Sequence, residues 1–319
     1  MRRKSELIAR TPDIKPVFSI ALALLVLIAA GADSAVAQVR GVYPLGMSAT
    51  NSGVTPPSGF SYANQLLSYS RDESKDSEGE VVATGSNSVV MDMNSLIWVS
   101  PNKILAGAKL SLSATVPLAR NSLTSDAIGP ISGGGGFADS YYQPFILGWE
   151  TKSADIRTAY GFLAPTGSFD ATANNNVGSG YWTHVVSSGQ TFYLAKDKST
   201  AISAFQMYEF HTIQEGTGIH PGQNLDLDYS ITRTVAVGTS VKLQLGLVGY
   251  GQWQTTDKTG PSITAVQASA HYKVNAIGLA SNVFFPAQKL SVGFKCFQEF
   301  LDRSTFQGHS IQVSGSIKF

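Results

Sequence analysis

The last eleven residues of the chain, HSIQVSGSIKF, alternate in polarity without a break, and no other stretch constrains the fold as much. His309, Ile311, Val313, Gly315, Ile317 and Phe319 share one parity, while Ser310, Gln312, Ser314, Ser316 and Lys318 share the other. Two is the side-chain period of a β-strand, so the segment has one apolar and one polar face. A tilted strand of roughly this length spans the hydrocarbon layer of a bilayer. The chain then stops on an aromatic residue. Ile317 and Phe319 have the form of the closing strand of an outer-membrane barrel, the signal that the barrel-assembly machinery engages. The competing fold is a soluble β-sandwich that ends on an edge strand.

The other end of the chain favours the barrel. Arg2, Arg3, Lys4, Arg10 and Lys15 form a basic n-region, Val17 to Ala30 an apolar run, and Ala35-Val36-Ala37 a small-x-small site before Gln38. That order predicts a secretory signal over residues 1–37, cleaved on export, because the apolar run is short for a spanning helix. Residues 38–59 are rich in Gly, Ser, Thr and Pro. They suit either a small plug folded back into a barrel or a periplasmic tail, and both readings stand.

Composition removes several classes of function. With the n-region bases and the acids Glu6, Asp13 and Asp33 set aside, the remaining chain is close to neutral. It has no basic footprint for a nucleic acid. Beyond the signal, no apolar run approaches the roughly 18 residues of a membrane helix. Charged residues make up only 14% of the chain and Gly numbers 31, which fits strands with one apolar face and many turns. The single cysteine, Cys296, has no disulfide partner, and no Cys/His cluster suggests a metal or cofactor.

Twelve segments alternate along the chain. The clearest are 104–116, 225–232, 241–254, 266–276, 290–300 and the C-terminal one; weaker ones lie near 60–71, 88–99, 139–150, 155–164, 181–194 and 200–211. In 266–276, Val266, Ala268, Ala270, Tyr272, Val274 and Ala276 oppose Gln267, Ser269, His271, Lys273 and Asn275. Long connections (72–87, 117–138, 165–180) alternate with short ones (100–103, 151–154, 195–199, 235–240), and only 277–288 strains the rule. Short turns on one side and long loops on the other are the habit of up-and-down membrane barrels. Trp98 and Trp149 fall at the expected periplasmic rim, and Trp182 and Trp253 at the outer rim, as two aromatic girdles require. The fold expected over residues 60–319 is therefore an all-β transmembrane antiparallel up-and-down β-barrel. About twelve strands fit best, with ten or fourteen also compatible.

Several blocks resemble the phenol-degradation meta-pathway (MetA-type) family of outer-membrane, transporter-like barrels. They include Pro56-Pro57-Ser58-Gly59-Phe60 with Tyr62 and Tyr69, then Asp139, Pro144 and Trp149. Gly161, Pro165, Thr166, Gly167 and Asp170 follow, then Gly178-Ser179-Gly180-Tyr181-Trp182. The stretch Asp226–Asp257, with Gly246, Gly249, Tyr250 and Gln252, is the most similar, and Phe297-Gln298-Glu299-Phe300, Arg303, Gly308 and Phe319 complete the order. The resemblance implies a barrel and a transport role linked to aromatic compounds.

Polar side chains line the interior of such a barrel. Strand parity places Lys109, Asp226, Asp228, Lys242, Gln244, Tyr250, Gln252, His271, Lys273, Lys295 and Glu299 there, with Lys318 at the C-terminal end. Charges of both signs either lock together as a structural filling or set a transverse field that orients a small solute. Tyr250 and His271 are the candidates to stack on or hydrogen-bond an aromatic hydroxyl. The expected function is passive uptake of small hydrophobic or aromatic compounds, with outer-membrane lipid and the solute as partners. A sealed structural or partner-binding barrel is the alternative. A lipid-modifying enzyme is less favoured, because none of His184, His211, His220, His271 and His309 lies in a nucleophile motif.

Overall fold

The computed structural model describes residues 40–319 apart from Ser262, so the signal expected over 1–37 lies outside the described residues. The first half of the sheet comprises β1 (Gly59–Lys75), β2 (Val81–Lys103), β3 (Lys109–Ser125), β4 (Gly129–Phe137), β5 (Ser140–Glu150) and β6 (Ala154–Ala164). The second half comprises β7 (Thr183–Tyr193), β8 (Thr200–His211), β9 (Asn224–Val237), β10 (Val241–Gln254), β11 (Lys273–Phe285), β12 (Leu290–Glu299) and β13 (Phe306–Lys318). All pairings are antiparallel, and β1 pairs with β13 from Ser61↔Lys318 to Ser74↔Phe306, which closes the ring. Strand β3 pairs with β5 over Lys109–Thr115 and with β4 over Leu118–Ser125. Those two strands share one place in the wall, so the barrel has twelve strand positions. Closure pairs every strand of the ring on both sides, the condition for a sheet in lipid, while β4 pairs with β3 alone.

Polarity along each strand decides which face turns inward. In β9, Asn224, Asp226, Asp228, Ser230 and Thr232 are buried, whereas Leu225, Tyr229 and Ile231 are exposed. The C-terminal strand behaves likewise, with Ser310 and Gln312 buried against exposed Ile311, Val313 and Ile317. The exposed apolar side chains form the outer band. One outward stretch departs from this rule: Tyr62, Asn64, Asp92 and Asn94 on β1 and β2 hydrogen-bond to one another at 2.5–3.4 Å. Trp149, Trp182 and Trp253 lie at or beside strand ends, whereas Trp98 lies within β2, five residues before Lys103.

Several stretches differ from the sequence expectation. The connection expected over 72–87 shrinks to 76–80, because β1 runs to Lys75 and β2 begins at Val81. Residues 117–138, expected as a loop, continue β3 and fold back as β4. The turn expected at 100–103 moves to 104–108, because β2 runs on to Lys103. A further difference concerns 266–276. There Thr264 and Gln267 form a capping box that starts a short helix, α1 (Ala265–Ser269), and the strand begins only at Lys273. Strand β11 then passes through the stretch expected as the long 277–288 connection. The remaining link, 286–289, is short, so the one irregular connection disappears.

Residues 40–58 run through the interior. Tyr43, Leu45 and Ala49 form one buried cluster with Val185, Phe205, Met207, Val248, Tyr250, Tyr272, Val274, Ala276, Ala280 and Phe297. Met47 bridges to a second cluster of Leu67, Tyr69 and Met93. The hydrophobic core of this protein thus sits inside the barrel, around its own N-terminal segment.

Candidate functional site: a barrel interior filled by the N-terminal segment

Inward-facing polar side chains of the seven strands β7 to β13 converge on residues 40–53. Arg40 makes a two-pronged contact with Glu299, Nη1 to Oε1 at 2.6 Å and Nη2 to Oε2 at 3.0 Å, and its Nε donates to Thr305 at 3.1 Å. Its Nη2 also donates to the Phe306 carbonyl and lies 3.5 Å from Asp302. Glu299 further accepts from the Tyr250 hydroxyl at 3.0 Å and the Gly308 amide at 3.0 Å. Such a fork between planar ions is strong because both partners are ionised and the geometry is paired. In the loop after β12, burial and then the Glu299 carboxylate push Asp302 up to about 8. Arg40 is therefore matched chiefly by Glu299.

Two carboxylates hold the segment through its own backbone. Glu209 accepts from the Val42 amide at 3.0 Å and the Tyr43 amide at 2.8 Å, and Asn224 donates to it at 3.0 Å. Asp228 accepts from the Tyr43 hydroxyl at 2.6 Å, the Gly46 amide at 2.9 Å and the Ser48 amide at 3.0 Å. Donors answer the carbonyls: Lys295 Nζ reaches Gly46 O and Met47 O, both at 2.7 Å, and Gln312 reaches Leu45 O at 2.7 Å. Gln252 links Asp226 at 2.7 Å to the Gly41 amide at 3.2 Å. Asn51 and Gln244 exchange two bonds of 3.0 Å. A segment without regular structure can lie buried only if its amides and carbonyls find partners, and here the wall supplies them.

Close approach does the rest. A Cβ on Gly189 would stand 2.1 Å from the Ser52 carbonyl, and one on Gly148 would stand 1.8 Å from Thr55 Oγ1. Only glycine at these wall positions lets the segment pass.

The residues named from the sequence divide into three groups. Asp226, Asp228, Gln244, Tyr250, Gln252, Lys295 and Glu299 meet at the N-terminal segment. Lys109 and Lys242 keep inward parity but lie at the short-turn end, where Lys242 is exposed. His271 and Lys273 are not inside. His271 is in the 255–272 loop, 2.7 Å from Asp257, and Lys273 is exposed with the outward parity of Ile277 and Leu279. The polar face was taken as the inner one, yet here the interior is apolar: Tyr272, Val274 and Ala276 pack against the N-terminal segment's core. Arg40, Tyr43 and Glu209 went unnamed in the sequence. The signal for Glu209 was present, since it continues the inward parity of Phe205 and Met207 in β8.

The sequence matches the model of the family described as "Putative MetA-pathway of phenol degradation" over residues 71–314. The chain belongs to that family. The match runs from the end of β1 into β13, so the filling segment precedes the matched residues. No curated protein matches the chain. Among solved structures it is similar to an outer-membrane channel from Pseudomonas putida F1, with 14% identity and a TM-score of 0.70, covering 84% of this chain and 98% of that one. It is also similar to the beta domain of the Bordetella autotransporter BrkA, with 9% identity and a TM-score of 0.53, covering 82% of this chain and 100% of that one.

Proposed function

We propose that this protein is an outer-membrane channel for passive uptake of small hydrophobic or aromatic compounds, and that residues 40–58 are its removable closure. The observation that carries the reading is the nature of the closure. The interior is filled by a segment tied to the wall only by hydrogen bonds, one buried ion-pair cluster and apolar packing, all reversible. Released, it leaves a lumen with Glu209, Asp228, Lys295 and Glu299 of both signs, beside the aromatic rings of Phe205, Tyr250 and Phe297. Opposed charges and ring faces select small polar-edged aromatic solutes without energy coupling. The likeness to the Pseudomonas putida outer-membrane channel supports this use of the fold. In this reading the signal over 1–37 is cleaved, the short turns face the periplasm, and the assembly machinery recognises the C-terminal strand. Outer-membrane lipid surrounds the wall.

Single-channel conductance of refolded mature protein, titrated with monoaromatic acids and phenols, tests the proposal. Intermittent conductance reduced by an aromatic compound supports it. The completeness of the filling favours a second reading, a sealed barrel whose loops bind a partner, and a silent bilayer with released segment would support that instead. An enzyme is less well served. His211 contacts Thr183 at 2.8 Å and Glu209 at 3.3 Å, but all three are buried beneath the segment and away from lipid.

A further inference from the structure

Among the described residues, two inward arginines have no ion pair: Arg71, which lies over the Tyr69 ring at 4.3 Å, and Arg157. Arg157 of β6 faces inward between Gly148 of β5 and Gly189 of β7, where the segment crosses the wall at Ser52 and Thr55. Among the described residues its guanidinium has no carboxylate within ion-pair distance and makes no hydrogen bond. Asp155, the inward carboxylate two residues away, is taken by the Tyr193 hydroxyl at 2.5 Å and by Lys198 at 3.7 Å. Beside Arg157 lies a cavity of about 60 Å³. Ser111, Gln143 and Thr55 supply its other polar lining, and Ile97 and Ile146 its apolar wall. The hydroxyls of Ser111 and Thr55 are buried without a partner among the described residues. Gln143 accepts from Ser113 at 2.9 Å.

An inward guanidinium is costly to leave unmatched, and two buried hydroxyls beside it are also unused. All three groups can donate hydrogen bonds. The complement of such a set is a carboxylate, which the fork of an arginine grips at two points. The apolar wall behind it suits a short hydrocarbon or aromatic body.

We infer that Arg157 and its neighbours form a subsite for the carboxylate of a small organic monoacid, at the short-turn end of the lumen. This rests on the channel reading in so far as it names the class of solute the lumen favours. The cavity takes the carboxylate head with Thr55 in place, and the body of a larger acid is seated when Pro56 moves aside.

The test compares benzoate with benzyl alcohol, its uncharged analogue, on the refolded mature protein by titration calorimetry. Benzoate should bind at least tenfold more tightly, and Arg157→Gln should erase the difference. Equal binding of the two, or a preference that survives Arg157→Gln, overturns the site. Should that variant fail to fold, wild-type protein gives the answer through arginine-specific phenylglyoxal labelling read by mass spectrometry. Benzoate should protect Arg157 and benzyl alcohol should not; equal labelling with both compounds overturns the site. Liposome swelling with an uncharged pentose examines the channel separately. A barrel that admits the sugar but ignores the carboxylate keeps the channel and loses this site. One that binds benzoate through Arg157 yet admits nothing keeps the site and loses the channel.

Discussion

The two sides of the barrel interior treat charge differently. On the side built by β8 to β13, Glu209, Asp228, Lys295 and Glu299 are each committed to the N-terminal segment. On the side built by β2, β3, β5 and β6, Arg157 faces a cavity with no such commitment. The difference teaches that inward charge in this fold serves two ends. Matched charge orders a segment that has no secondary structure of its own, and the unmatched Arg157 is what the inferred carboxylate subsite uses.

The comparison can be broken most sharply at Arg40. Removing one partner of a buried ion pair leaves the other charge stranded, at a cost of about 3–5 kcal/mol. Arg40→Ala should therefore free the segment, and limited proteolysis of residues 41–58 should accelerate in proportion. Unchanged protection would mean that packing around Tyr43 and Leu45 suffices. Next comes Asp228→Asn, whose single carbonyl oxygen replaces only one of the two accepting oxygens, so at least one backbone N–H meets the new NH2 and the remaining bonds become neutral. A loss of about 1.5–3 kcal/mol is expected, visible as faster hydrogen exchange at the Gly46 and Ser48 amides. Gly189→Ala puts a methyl group against the Ser52 carbonyl and should cost about 1–3 kcal/mol by overpacking. The shift should show in the segment's protease protection while the heat-modified migration of the barrel stays the same.

A smaller effect concerns pH. Asp302 titrates at about 8 in the folded protein, pushed up first by burial and then by Glu299, against about 3.9 in an unfolded chain. A carboxyl whose pKa is raised on folding contributes stability at low pH. That contribution is lost progressively as pH rises through the window from about 4 to about 8. Segment protection should weaken toward pH 8 in the native protein, and Asp302→Asn should flatten that dependence. Lys242→Gln, at the exposed end of β10, should change stability by less than about 0.5 kcal/mol.

The wall was legible in the sequence because a membrane barrel writes its geometry as alternation. Asp226 and Asp228 against Leu227 and Tyr229, or Gln312 against Ile311 and Val313, place each side chain from parity alone. Strand ends were less legible. Nothing in the polarity of Ser86–Val90 or Leu118–Ser125 tells a strand projecting into water from a loop, since both faces meet solvent there. The inversion at β11 has a different origin. Polarity marks the inner face only where the interior is polar, and Val274, Ala276 and Ala280 face a hydrophobic core supplied by another part of the chain. The partners of Arg40 could not be read locally either, because Glu299 lies 259 residues away and the pairing exists only once the ring has closed.

The most direct test of the channel reading is single-channel conductance of Arg40→Ala beside the native barrel, with proteolysis of the segment followed on the same preparation. Brief, rare openings in the native protein and sustained conductance in the variant are the expected result. A variant whose segment is demonstrably released and whose bilayer stays silent would contradict the channel and leave a sealed, partner-binding barrel in its place.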